Sequence, residues 1–304
     1  MIKKLDEMLD VLKGSEKVIL SVAAAHDEEV LLAIKSATEM GIIIPILVGH
    51  EDEIRNISKE INFDLDGIKI INKETIEECA EVAVKLVSSK EADFVMKGLL
   101  DTSVILKAVL NKEWGLRTDS LLSHVMIYEV NFYHKLLVTT DGGMNIAPDY
   151  EQKVKILKNA IKATEPLGLK AIKVAALAAK EKVNPKMKAT IDAKQLEEAG
   201  KNGEFGDNVI VEGPLAFDLA VSKEACEVKK FKTQVGGDVD IILMPTIEVG
   251  NGIGKAFTYA AGAKSAGIIM GAKAPIVLVS RSDTHESKLY SIAYGAIVAS
   301  HKKG

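Results

Sequence analysis

Hydrophobic residues in this chain fall into short unbroken runs and into sets spaced at helical intervals, and the two alternate. Residues 17–23 and 42–49 are apolar runs typical of buried strands. Between them, Val30, Leu31 and Ile34 recur at the spacing of one helix face. A strand, a helix and a second strand in this order predict a βαβ unit with a right-handed crossover.

The same alternation continues through both halves of the chain. Its pattern predicts helices at 51–60, 75–89, 149–163 and 189–200, and strands at 68–71, 92–96, 173–177, 208–211, 240–244 and 274–279. Alternating strands and helices are typical of α/β proteins with a mostly parallel sheet. The pattern therefore predicts the α/β class for the whole chain.

One segment near the middle interrupts this alternation. Two extended stretches, His124–Tyr128 and Lys135–Thr140, predict an antiparallel hairpin added to the sheet. Asp141-Gly142-Gly143 and Pro148 follow, and residues of these types favour turns. We therefore place the boundary between two α/β domains at residues 141 and 142.

Composition and charge narrow the class of protein. The 304 residues are 47% hydrophobic and 27% charged, which is typical of a soluble globular protein of about two domains. A net charge of −4 argues against nucleic acid as the main partner. No apolar run reaches the roughly 18 residues needed to cross a bilayer. Two cysteines and no signal-peptide pattern at Met1–Lys4 predict a location in the reducing cytoplasm.

A strand-to-helix junction near residue 280 is a candidate for chemistry. The predicted strand ends in Ser280-Arg281, and the helix that follows has Asp283 as its predicted N-cap and Glu286 in the capping-box position. Helix N-termini attract anions, and open parallel sheets bind ligands at the carboxyl ends of their strands. Arg281 therefore predicts a site for phosphate or carboxylate. A capped helix with a solvated arginine is the structural alternative.

A second junction of this kind begins at Lys97-Gly98, after the strand at 92–96. The next helix has Thr102 or Ser103 as its predicted N-cap, and Lys107 lies about one turn inside it. The functional interpretation is another anion-binding helix start, and the structural one is a capped helix with exposed lysines.

A glycine-rich stretch, Gly250-Asn251-Gly252-Ile253-Gly254-Lys255, precedes an alanine-rich helix. A dinucleotide-binding motif would need glycine where Lys255 stands, and an acidic residue about 20 positions later is missing. Close approach of this backbone to some other ligand is the favoured interpretation.

The sequence predicts no metal site. His124 and His134 lack the spacing of metal ligands and have no cluster of cysteines or carboxylates beside them, so both are interpreted as structural. Cys79 shares a helix face with Val82 and Ala83, which favours a packed small residue over a nucleophile.

Motifs at these strand ends carry a resemblance to a known family. They are Lys97-Gly98 with Val104-Ile105-Leu106-Lys107; Glu212-Gly213-Pro214-Leu215-Ala216-Phe217-Asp218; Met244-Pro245 with Gly250-Asn251 and Lys255; and Pro275 through Ser280-Arg281. With these motifs the chain resembles the phosphate acyltransferases, the phosphotransacetylase and phosphotransbutyrylase group, over most of its length.

The resemblance implies two α/β domains, an active site in the cleft between them, and assembly as a homodimer. It also implies that the C-terminal segment returns to the first domain. The first domain would then comprise residues 1–141 and 278–304, and the second domain residues 142–277.

The implied reaction is acyl-CoA + phosphate ⇌ acyl phosphate + CoA, with coenzyme A as a substrate, no other cofactor, no metal and no covalent intermediate. Ser280 and Arg281 take the place of the family's active-site pair. The implied substrate-binding residues are Lys97, Gly98, Thr102, Lys107, Gly250, Asn251 and Lys255.

Three departures from the acetyl-specific members favour the butyryl branch. Lys107 stands where those members carry an arginine, and Asn72-Lys73-Glu74 stands where they have a basic loop. Ser287 replaces their presumed catalytic aspartate, so Asp283 and Glu286 are the nearest candidates for the base. The alternatives are a phosphate acetyltransferase, a metal-dependent dehydrogenase of the isocitrate or hydroxythreonine-phosphate type, and a non-catalytic sensor of coenzyme A or acyl phosphate.

Overall fold

A computed structural model describes residues 1–279 and 283–301, and most of the helices and strands in these ranges alternate. Up to residue 120 they are α1 (Leu5–Leu12), β1 (Val18–Ala23), α2 (Glu28–Glu39), β2 (Ile43–Gly49), α3 (Glu51–Glu60), β3 (Lys69–Asn72), α4 (Ile76–Ser88), β4 (Phe94–Lys97) and α5 (Thr102–Val109). The later ones are β5 (Ser123–Glu129), β6 (Leu137–Thr140), α6 (Tyr150–Thr164), β7 (Ile172–Leu177), α7 (Lys188–Lys201), β8 (Val209–Leu215), α8 (Phe217–Val221), α9 (Lys223–Val228), β9 (Ile241–Leu243), α10 (Ile247–Lys255), β10 (Lys264–Met270), β11 (Ile276–Val277) and α11 (His285–His301).

The predicted α/β class with mostly parallel strands is confirmed, and the predicted helices and strands lie within a few residues of the observed ones. The apolar pattern does not predict β10, because Gly267 interrupts its apolar run, nor the short helices α8 and α9. None of the helices within the described ranges is long and apolar enough to span a membrane.

The chain divides into two compact units. The N-terminal unit comprises Leu5–Ser120 and the described residues from Ala266 onward, and the middle unit comprises Met1–Lys4 with Leu121–Ser265. These limits differ from the predicted domain boundaries at 141 and 277. The predicted β5–β6 hairpin is confirmed, but it groups with the middle unit because β6 pairs in parallel with β9. The division of the chain into domains stays a prediction.

In the N-terminal unit the strands follow the order β3-β2-β1-β4-β11-β10. The first five are parallel to one another, and β10 is antiparallel to β11. Ala23 of β1 is opposite Lys97 of β4, and Met96 is opposite Val277 of β11. The carboxyl ends of β1, β4 and β11 therefore meet at one edge of the sheet, which we call the N-terminal carboxyl edge.

In the middle unit the strands follow the order β5-β6-β9-β7-β8. The strands β6, β9, β7 and β8 are parallel, so their carboxyl ends also share one edge, the middle carboxyl edge. The core of this unit includes Phe257, whose ring lies 5.2 Å from that of Tyr128 between centroids. Burial of these apolar side chains stabilises the unit.

Candidate active site

Lys97 and Gly98 form a tight turn at the N-terminal carboxyl edge. The Lys97 side chain is buried, and its Nζ donates hydrogen bonds to the carbonyl oxygens of Gly98 (3.2 Å) and Leu100 (2.9 Å). A Cβ atom on residue 98 would lie 2.2 Å from the carbonyl oxygen of Ala24. Only glycine fits this position, because the turn crosses directly over the end of β1.

Helix α5 begins one residue earlier than predicted. Asp101 is its N-cap, without a side-chain cap hydrogen bond, and Thr102 is the first helical residue, so the predicted Thr102 or Ser103 cap is wrong. Thr102 is half-buried, whereas Lys107 is exposed and forms no ion pair within the described part of the chain. Lys107 is therefore a cation that substrate could approach.

Ser280 and Arg281 follow β11 by three and four residues, and both lie outside the described residues. The strand before them is placed as the sequence predicts, parallel to β4 and buried. The roles of Ser280 and Arg281 stay predictions.

Helix α11 begins at His285, with Thr284 in the capping position. The hydroxyl of Thr284 accepts a hydrogen bond from the backbone N–H of Ser287 (3.2 Å). The predicted capping box of Asp283 with Glu286 is therefore wrong by one residue. The carbonyl oxygen of Asp283 instead accepts a hydrogen bond from the buried Lys288 side chain. A threonine hydroxyl can cap a helix as an aspartate does, so the cap position could not be settled from residue types.

The two candidate bases have different surroundings. Asp283 is half-buried next to the start of α11. Glu286 is exposed, and the Tyr290 hydroxyl lies 3.3 Å from its Oε1 and also donates to Asp6 of α1. The Glu286 carboxylate is thus partly committed to contacts between α1 and α11.

Two histidines that the sequence analysis missed lie at the ends of adjacent strands. His26 follows β1 and His50 follows β2, and their ring centroids are 4.7 Å apart. Burial, and secondly the neighbouring His50, hold the pKa of His26 below its ordinary value. The two residues are far apart in sequence, and only the parallel pairing of β1 with β2 brings them together.

The middle carboxyl edge contains a rigid turn after β6, at Asp141–Asn145. The Asp141 side chain is buried, and one carboxylate oxygen accepts hydrogen bonds from the N–H groups of Gly143 (2.7 Å) and Met144 (2.9 Å). The other oxygen accepts from the His124 N–H (3.1 Å) and from the Asn145 side-chain amide (2.6 Å). One carboxylate thereby fixes both ends of the turn.

The glycine-rich stretch lies within helix α10 rather than in a loop before it. A Cβ atom on Gly250 would lie 2.6 Å from the Cα of Gly142, and the Asn251 side-chain amide donates to the carbonyl oxygen of Gly142 (3.3 Å). Glycine at 250 is therefore required by the chain's own backbone, which corrects the interpretation that a ligand requires it. Asn251 and Lys255 are exposed, and the Lys255 ammonium lies 5.9 Å from the centroid of the Tyr259 ring.

The residues interpreted as structural have protein partners. Cys79 is buried, and the Nε2 of His134 lies 2.8 Å from a carboxylate oxygen of Asp238. Across residues 1–279 and 283–301, no three histidines, cysteines or carboxylates group in a way that could hold a metal ion.

A cavity of about 580 Å³ opens at the opposite, amino edge of the N-terminal unit. It is lined in part by Lys85, Trp114 and Lys273, and the Lys85 ammonium lies 5.1 Å from the Trp114 ring centroid. None of the predicted site residues that the structure describes lines this cavity.

Six of the nine site residues that the structure describes lie at the two carboxyl edges. The N-terminal set is Lys97, Gly98, Thr102 and Asp283, and the middle set is Gly250 and Asn251. The exposed Lys107, Lys255 and Glu286 lie farther along α5, α10 and α11.

Comparison with known proteins gives a consistent result over nearly the whole chain. The model of the family described as "Phosphate acetyl/butaryl transferase" matches residues 3–84 and 73–296. The phosphate butyryltransferase of Clostridium acetobutylicum is 42% identical over 302 residues, which cover 99% of this chain and 100% of that protein. The phosphate acetyltransferase of Thermotoga maritima is 38% identical, covering 97% and 99%. A crystal structure of a branched-chain phosphotransacylase from Enterococcus faecalis superposes with a TM-score of 0.82 at 33% identity, covering 93% and 99%.

Proposed function

This chain belongs to the phosphate acetyl/butyryl transferase family, and from that premise we propose that it transfers an acyl group between coenzyme A and inorganic phosphate. The proposed reaction is butanoyl-CoA + phosphate ⇌ butanoyl phosphate + CoA. The observation that carries this proposal is the full-length similarity to a phosphate butyryltransferase. The dehydrogenase-like alternative is not favoured, since the relatives described above are transferases.

The proposed mechanism is direct attack of a phosphate oxygen on the thioester carbonyl carbon within a ternary complex. A C–O bond forms and negative charge gathers on the tetrahedral oxygen next to the phosphate. The C–S bond then breaks, and coenzyme A leaves as its thiolate. Arg281 would bind the phosphate through its guanidinium fork, and the Ser280 hydroxyl would donate to the oxyanion. One such donor is typically worth roughly 3–4 kcal/mol in the transition state.

The carboxyl edges support this placement of the substrate groups. Ser280 and Arg281 follow β11, whose carboxyl end lies next to the Lys97-Gly98 turn. The buried Lys97 would add positive charge there, while the exposed ammonium groups of Lys107 and Lys255 would attract the phosphates. The complete proposed substrate-binding set is Lys97, Gly98, Thr102, Lys107, Gly250, Asn251 and Lys255.

Phosphate-dependent release of free thiol from a series of acyl-CoAs tests the activity and the acyl-chain preference together. Butyryl differs from acetyl by two methylene groups, each worth about 0.8 kcal/mol when buried. An apolar pocket would then favour butyryl-CoA by roughly fifteenfold in kcat/KM. We expect butyryl-CoA to be preferred, valeryl and isobutyryl chains to be accepted, and acetyl-CoA to be turned over slowly.

Acyl-CoAs that compete in one reaction give the most direct comparison. Equal or faster consumption of acetyl-CoA would assign the protein to phosphate acetyltransferase, the alternative. Loss of activity with a metal chelator would favour a metal-dependent enzyme. If no acyl-CoA releases free thiol, the remaining alternative is a non-catalytic sensor of coenzyme A or acyl phosphate.

The base that deprotonates the thiol in the reverse reaction is proposed to be Asp283 or Glu286. Removing a general base typically lowers the rate roughly 10²- to 10⁴-fold. We expect this loss in one of Asp283→Asn and Glu286→Gln, and near-normal rates in the other. Asp283 is favoured, because Glu286 is exposed and shares Tyr290 with Asp6. Full activity of both variants across pH would exclude both carboxylates.

Three further properties are proposed from the family resemblance. The protein would act as a homodimer, which its mass by light scattering tests, because two-fold dimers are the commonest closed assemblies. It would work in the cytoplasm, and it would need no cofactor beyond its substrate coenzyme A.

A further inference from the structure

An exposed lysine-rich loop follows β7 in the middle unit. This segment, residues 178–188, is called the lysine loop. The side chains of Lys180, Lys182 and Lys186 are exposed, and none of them forms an ion pair with a described residue. The one acidic residue of the loop, Glu181, is half-buried and pairs with Lys229 (3.2 Å), which also pairs with Asp218 (2.8 Å). The loop therefore presents three lysine ammonium groups to solvent.

Hydrogen bonds order the C-terminal half of the lysine loop, from Asn184 onward. The Asn184 side chain accepts a hydrogen bond from the Lys186 N–H (2.9 Å). The fully buried Thr190 hydroxyl accepts from the Asn184 N–H (2.9 Å) and lies 2.8 Å from the Met187 carbonyl oxygen. This half of the loop, which carries Lys186, therefore loses little conformational entropy when it binds a ligand.

A buried ion pair anchors the C-terminal end of the loop. The carboxylate of Asp192 in α7 accepts hydrogen bonds from Lys153 (2.6 Å) and from Lys188 (2.5 Å). Lys153 and Asp192 are both buried. The Asp192 carboxylate is thus paired with these two cations, and it does not neutralise the three lysines at the loop surface.

The lysine loop lies at the middle carboxyl edge. Its strand, β7, is parallel to β9, so the loop begins on the side of the sheet where β9 leads into α10. Ala189 and Asp192, in the first turns of α7, line a small cavity together with Met244 and Pro245. Met244 and Pro245 connect β9 to α10.

We propose that the lysine loop binds phosphate groups of coenzyme A, in a subsite formed by Lys180, Lys182 and Lys186. This inference rests on the proposed function, which makes coenzyme A a substrate. Coenzyme A carries a diphosphate and a 3′-phosphate, and lysine ammonium groups are common point-charge partners of phosphate.

The test compares one triple variant with a matched control. Lys180→Gln/Lys182→Gln/Lys186→Gln removes the three loop charges. Lys4→Gln/Lys162→Gln/Lys170→Gln removes three exposed lysines from the amino edge of the same unit, before α1, near the end of α6 and before β7. Both triple variants change the net charge equally. Any kinetic difference between them therefore depends on where the three lysines lie.

In the loop variant we expect kcat/KM for butyryl-CoA to be about tenfold lower, because KM is higher. Each exposed charge pair contributes only modestly, but the three lysines act together. Butyryl-pantetheine, which lacks all phosphates, should react equally with wild type and loop variant. The KM for inorganic phosphate and the Tm should be unchanged, and the control should match wild type. Added salt should reduce the difference between loop variant and wild type.

Either of two results would overturn the subsite: an unchanged KM for butyryl-CoA in the loop variant, or equal losses in the loop and control variants. A loss that is as large with butyryl-pantetheine would also overturn it, because it would show a structural effect on the site. An inactive wild type would instead refute the proposed function. Calorimetric titration of wild type and loop variant with coenzyme A then tests the subsite by itself.

Discussion

Replacing Arg281 by alanine is expected to lower kcat/KM for phosphate by about a hundredfold or more, with little change in Tm. The arginine would bind the phosphate dianion, and removing one preorganised donor typically costs 10²- to 10³-fold. A side chain that binds substrate at an open sheet edge contributes little to stability. Initial rates at varied phosphate concentration, with butyryl-CoA saturating, give the measurement.

Arg281→Lys is the matched control, because it keeps the charge but removes the planar fork. We expect it to recover only part of the activity, with the defect mainly in the KM for phosphate. Near-normal phosphate kinetics in Arg281→Ala would remove this residue from the site. The Lys97-Gly98 turn next to β11 would then be the next place to search for the phosphate site.

Replacing Asp192 by alanine is expected to lower the free energy of unfolding by about 3–5 kcal/mol, the usual cost of leaving one member of a buried ion pair alone. Lys153 would remain buried without its carboxylate partner. Urea unfolding followed by circular dichroism measures the difference. Lys188→Gln is the control: it removes the exposed partner of the same carboxylate and should cost less than about 1 kcal/mol.

A double variant, Lys153→Met/Asp192→Leu, separates the charge from the packing. Replacing both partners by apolar residues removes the uncompensated charge, so most of the stability lost in Asp192→Ala should return. If Asp192→Ala is as stable as wild type, the ion pair makes no net contribution and does not anchor the lysine loop.

The same pair predicts the direction of a pH dependence. Burial raises the pKa of Asp192, but hydrogen bonds from Lys153 and Lys188 outweigh it and hold that pKa below its ordinary value. A lowered folded-state pKa stabilises the protein above the unfolded-state pKa, and this stability is lost as the pH falls below about 4. The decline in unfolding free energy over that range should be smaller in Asp192→Ala than in wild type.

The sequence by itself determined the fold class and most of the elements. Apolar runs and helical spacing depend only on neighbouring residues, so they predicted β1, α2 and β2 close to their observed bounds. The strand-end motifs, read as a family resemblance, indicated the family that the comparisons confirm. The same motifs identified Lys97-Gly98 as a candidate ligand-binding junction between a strand and a helix, because such a motif consists of neighbouring residues.

Only the tertiary structure decided which strand ends are neighbours. Gly250 packs against Gly142 and His26 against His50, and neither contact is visible in a linear pattern. The middle unit includes the hairpin because β6 pairs with β9, about 100 residues later. Strand pairing joins residues that are distant in the chain through backbone hydrogen bonds, which are nearly independent of residue type. For this reason the residue pattern specified the strands, and three-dimensional packing decided their order.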